Sequence, residues 1–128
     1  MFIAEIENIK KENKEWNQII DYISQECILM KNRLSTLLEE FNASFIVEWF
    51  ENFQNRIIMK EQVLWLLKND LKEQQFLIEK SYYENSNEYV NMILEKHENI
   101  RMQIQFLEKG CLEMKQSFND FISLHLLV

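Results

Sequence analysis

The chain has no proline, one glycine and two cysteines in 128 residues. With so little to punctuate tight turns, β-sandwiches, barrels and glycine-rich phosphate loops are excluded. The two cysteines lack a nearby partner or metal-ligand spacing, which excludes a disulfide framework and fits a reducing, cytoplasmic compartment. Basic residues are also scarce, 14 against 21 acidic, for a formal charge of −7. Lysines alternate with glutamates along the chain, so no basic stripe exists for a nucleic-acid backbone. No apolar run approaches the roughly 18 to 20 residues that cross a bilayer. The expectation is a cytoplasmic protein with no nucleic-acid or membrane partner, long enough to bury one core without staples.

What the chain does have is apolar residues at alternating steps of four and three. The first run is Phe2, Ile6, Ile9, Asn13, Trp16, Ile20, Ile23, Cys27, Met30, Leu34, Leu37 and Phe41. A looser one is Ile46, Phe50, Phe53, Ile57, Lys60, Leu64, Leu67, Leu71, Gln74 and Ile78. The third is Val90, Ile93, His97, Ile100, Ile104, Leu107, Cys111, Met114, Phe118, Phe121, His125 and Val128. A sustained 3.5-residue period demands long helices packed side by side.

Breaks fall at Asn42-Ala43-Ser44, where Asn42 or Ser44 can cap the next helix, and at Glu84-Asn85-Ser86-Asn87, where Asn85 and Glu88 resemble a capping box. The fold class is therefore all-α: one domain over residues 1–128, with helices at about 2–41, 45–83 and 87–127. Short turns make neighbours antiparallel, giving an elongated up-down-up three-helix bundle with coiled-coil-like heptad packing. Gly110 lies inside the third helix, tolerated there or marking a close approach.

The turns also fix which residues share a level, and this aligns the polar exceptions on the three seams. Asn13, Gln74 and His97 fall in one layer; Cys27, Lys60 and Cys111 fall in another. Unpaired buried polar groups cost about 1–3 kcal/mol each, so the first layer reads as a hydrogen-bonded set that fixes register. Its alternative is a small-ligand pocket; a metal is disfavoured because Glu95 and Glu98 point away from His97. The second layer reads as inert buried thiols with Lys60 snorkelling outward, or as a thiol-redox sensor in which Lys60 lowers a thiol pKa.

The second helix carries more apolar surface than two neighbours can cover. Val63-Leu64-Trp65-Leu66-Leu67 is unbroken, with Trp65 and Leu66 on opposite flanks, and Met102 and Phe106 add to it from the third helix. Trp49, Met59, Trp65 and Leu66 are the expected partner contacts, the partner being a second copy or another helical protein. A pattern matching L-x-x-L-L (Leu34 to Leu38), a formal glycosylation tripeptide (Asn42-Ala43-Ser44) and the terminal Leu126-Leu127-Val128 are read as seam, turn and end packing. Asp21, Asp70, Asp120, His97 and His125 form no nucleophile, base and orienter arrangement, so no enzyme is expected and no cofactor is assigned.

The segments from Trp49 to Arg56 and from Met102 to Lys109, continuing to Phe118-Asn119-Asp120-Phe121, resemble segments of small, uncharacterised helical proteins from Bacteroidetes. The similarity extends to Glu12-Asn13-Lys14-Glu15-Trp16 and Lys31-Asn32-Arg33-Leu34. It implies a cytoplasmic bacterial helical bundle and supplies no activity. Those proteins carry more histidines in their second and third helices than this chain does, which removes any metal-binding expectation drawn from them.

Overall fold

The structure, a computed structural model, describes residues 2–83 and 87–126, with the side chains of Phe2 and Asn87 outside that description. The described residues form three helices, α1 (Phe2–Glu40), α2 (Ser44–Tyr83) and α3 (Asn87–His125). At 39 or 40 residues each they are about 60 Å long. Cross-helix ion pairs give the directions. Lys68 of α2 meets Asp21 of α1 at 3.0 Å and Lys96 of α3 meets Glu73 of α2 at 2.9 Å, while Arg101 of α3 meets Glu12 of α1 at 2.8 Å. A second contact on each pair fixes the sense, Lys31 of α1 with Glu61 of α2 at 2.9 Å, Lys60 of α2 against Gly110 of α3, and Glu26 of α1 with Lys115 of α3 at 3.2 Å, so α2 runs antiparallel to both neighbours and α1 and α3 run parallel.

Along α1 the buried positions are those of the apolar run from Ile6 to Leu34, in unbroken three-and-four steps. The α3 run holds from Ile93 to Phe118 and then departs from expectation. Ile122 and Leu126 are buried there, whereas Phe121 is half-buried and His125 is exposed. The cause is an aromatic wedge: Phe121 lies flat against Trp49 with ring centroids 3.7 Å apart and planes at 6°. That stack holds Phe121 on the α2 side, so the core continues one residue later. His125, a polar member of the same run, is exposed and packs its ring against Phe121 at 4.6 Å.

The first turn closes differently from the expected side-chain cap. Both Ile46 N and Val47 N donate to Ala43 O, each at 3.0 Å, so the backbone carbonyl begins α2. Among the described hydrogen bonds neither Asn42 nor Ser44 contributes a side-chain cap. The capping box proposed at Asn85, and the seam end at Val128, lie outside the described residues. Among the described residues no helix is long and apolar enough to cross a membrane.

Candidate functional site

Two kinds of feature compete for a functional role: polar layers inside the bundle and apolar surface outside it. The layers form at the levels the sequence dictates, but with different chemistry. Asn13, Gln74 and His97 are all buried, exposed by 6, 0 and 4 %. Gln74 Nε2 donates to Ile93 O at 3.1 Å and to His97 Nδ1 at 3.3 Å. With Nδ1 accepting, the ring carries its proton on Nε2, which faces Glu12 Oε1 at 3.2 Å. Asn13 does not join. Neither its Nδ2 nor its Oδ1 has a hydrogen-bond partner, and Gln74 Oε1 has none either. The expected mutual satisfaction therefore covers two of the three residues.

Glu12, which lies off the apolar seam, is what completes the layer. It sits on the flank of α1 next to the seam residue Asn13, and Arg101 grips both of its carboxylate oxygens, at 2.8 and 3.2 Å. Trp16 covers the imidazole, stacked at 4.5 Å, and Arg101 lies over the same indole. Both ring nitrogens of His97 are thus engaged and one ring face is shielded, so this arrangement fixes position rather than offering a free base.

Burial pushes the Glu12 carboxyl up, but hydrogen bonds from His97 and Arg101, together with the guanidinium charge, outweigh it and hold the group below the usual 4.5. A carboxyl depressed by folding contributes stability that is full above its unfolded value and disappears as pH falls through its folded value. We expect Glu12→Gln to lower unfolding free energy by about 1–2 kcal/mol near neutrality, allowing for partial solvent screening. The difference from wild type should shrink as pH drops below the ordinary carboxylate range. Denaturant titrations at neutral and acid pH test this; an equal cost at both rules out a charged Glu12 as the source.

In the second layer Cys27 and Cys111 are buried and unpaired, and Lys60 is half-buried. Lys60 lays its ammonium across the glycine of α3: a Cβ built on Gly110 would stand 2.5 Å from Nζ. The glycine therefore accompanies a close approach by a side chain whose flexible end can move aside. Lys60 fails to activate the thiols. Burial, with smaller contributions from Cys111 and Glu61, pushes Cys27 up to about 11, against weak opposition from Lys60 and Lys31. Burial likewise raises Cys111. Because the thiolate is the reactive form, native protein should label slowly with a disulfide reagent near neutral pH, and both thiols rapidly once urea unfolds it. Fast native labelling of either cysteine contradicts this assignment.

The expected partner contacts divide. Met59, Trp65 and Leu66 are exposed by 65, 65 and 54 %. Trp49 does not belong with them: it is half-buried, stacked on Phe121 and on Phe53 at 4.9 Å, and forms part of the edge of the core. Ile58 takes its place, lining with Trp65 and Leu66 a hollow of about 590 Å³ on the back of α2. From Leu66 the apolar surface continues through a groove of about 560 Å³ shared with α3, where Met59, Val63 and Phe106 form its walls. Met102 extends it beside Phe106. Among the described residues no group of three or more His, Cys, Asp or Glu is placed to hold a metal. Set against protein-family models, curated proteins and solved structures, the chain matches none of them.

Proposed function

We propose that the chain is a non-enzymatic helical interaction module that self-associates through the back of α2. The observation that carries this reading is the breadth of apolar surface there. Ile58, Met59, Trp65 and Leu66 are exposed together, and Met102 and Phe106 continue the same surface across α3. Soluble monomers seldom leave so wide an apolar patch to water. Its anatomy also suits an interface: the aromatic residues Trp65 and Phe106 together with Met59, and charged residues such as Arg56, Glu61 and Glu113 beside them. A reducing compartment such as the cytoplasm suits the two free thiols.

Light scattering on a sizing column at two concentrations tests the reading. Wild type should exceed the mass of one chain, increasingly so at the higher concentration. Trp65→Glu or Leu66→Glu should weaken association about thirtyfold or more, the loss expected when a charge enters the centre of an interface, with helicity by circular dichroism unchanged. Unaltered assembly in both variants removes this face from consideration.

A further inference from the structure

Opposite the back of α2, the parallel pair α1 and α3 leaves a seam that is not closed along its length. These two helices approach each other far less than either approaches α2. Ion pairs bridge them at Glu12–Arg101 (2.8 Å) and at Glu26–Lys115 (3.2 Å), each pair seven residues from the level of Ile19 and Glu108. At that intermediate level no ion pair joins α1 to α3 among the described residues, and a groove of about 480 Å³ opens. Ile19, Ile23 and Cys111 line it together with Tyr22 and Leu112, of which the last two are exposed by 58 and 68 %.

The α1 lip of this groove carries Glu15 and Tyr22, and the same seven-residue step continues to Leu29, exposed by 60 %, which lines the adjoining hollow at the Glu26–Lys115 bridge. A seven-residue stripe beside a parallel helix pair is the geometry that receives one more antiparallel helix. The back of α2 carries a stripe of the same spacing, Ile58, Trp65, Lys72. Both stripes span fourteen residues, about 21 Å at 1.5 Å per residue.

We infer that the α1–α3 groove of one copy receives the back of α2 from the next copy. Side by side and level, with the copies pointing the same way, the three residues of each stripe meet in order. Lys72 stands opposite Glu15, Trp65 enters the groove beside Tyr22, and Ile58 covers Leu29. The charges are complementary and available, since Lys72, Glu15 and Glu108 make no ion pair among the described residues. The hollow between Ile58 and Trp65 offers the reciprocal fit, a recess for a side chain of the groove's lip.

Because groove and stripe lie on opposite sides of the bundle, this contact joins unlike surfaces. It produces a row or ring of copies and not a closed two-fold pair. The inference rests on the proposed self-association through α2 and specifies what α2 touches.

Mixing two variants tests it. Trp65→Glu spoils the stripe and leaves the groove; Leu112→Glu spoils the groove and leaves the stripe. Both residues are exposed, and circular dichroism checks that each variant is folded. Each alone should be monomeric, with self-association weakened about tenfold or more. An equimolar mixture should form a one-to-one heterodimer in light scattering and in native mass spectrometry with one chain isotope-labelled. If Leu112→Glu assembles like wild type while Trp65→Glu does not, α2 pairs with α2 and the groove assignment fails, leaving the proposed function intact. If both variants are monomeric and their mixture stays so, the groove assignment fails as well. A wild type that remains monomeric at millimolar concentration removes both.

Discussion

Phe53→Ala should lower the free energy of unfolding by about 3–5 kcal/mol, the range for deleting a buried aromatic ring whose surroundings cannot collapse. Phe53 is 1 % exposed, and its centroid lies 4.9 Å from both Trp49 and Phe118. Those neighbours are themselves held: Trp49 by Phe121, and Phe118 by its buried position and by Arg33 over its ring at 5.4 Å. Two large planar side chains, each fixed from another side, cannot move into the space a ring leaves. The cavity term therefore adds to the lost transfer energy. Arg56, stacked over the Phe53 ring at 5.4 Å, loses its contact as well. Urea unfolding followed by circular dichroism reads the effect as a lower midpoint at unchanged slope. Phe45→Ala is the matched control, since Phe45 is 57 % exposed and should change stability by no more than about 0.5 kcal/mol. A loss below about 1 kcal/mol at Phe53 would show that this cluster does not pack as described.

The same cluster marks where the sequence stops being legible. Steps of three and four locate the core of α1 from Ile6 to Leu34, and that of α3 up to Phe118, because a helix facing two others buries one narrow stripe. Stripe logic cannot see two flat rings stacking across helices, and that stack displaces Phe121 from the seam and takes Trp49 off the surface. The levels of the polar layers follow from chain length and short turns. Their bonding depends on rotamers and on flank residues, which is why the seam pattern does not show that Glu12, beside Asn13, and Arg101, one turn from His97, complete the first layer. The groove between α1 and α3 carried a readable signal, the second seven-residue series Glu15, Tyr22, Leu29. It is hidden by the stronger series beside it.

Asn13→Leu should raise the free energy of unfolding by about 1–3 kcal/mol, the amount recovered when an unpaired buried polar group is replaced by an apolar one of similar size. Asn13 is 6 % exposed and both atoms of its amide lack partners. Its neighbours in sequence space along the seam are Ile9 and Trp16, both buried, so leucine continues an apolar stripe instead of interrupting it. Gln74→Leu makes the informative contrast. That substitution also removes an unpaired atom, Gln74 Oε1, but it takes away the donor that holds His97 Nδ1 and leaves the buried ring nitrogen unpaired. The expected result there is a loss of about 1–2 kcal/mol. Opposite signs at two residues of one layer separate a polar group that is bonded from one that is only level with its companions. If Asn13→Leu destabilises instead, the amide is paired in solution and the layer has all three members. If it stabilises, the asparagine works against the stability of this bundle, and the register rests instead on the bonds its companions make: a slip of α2 by one heptad would break Gln74 from His97, and a slip of α1 would break Glu12 from His97.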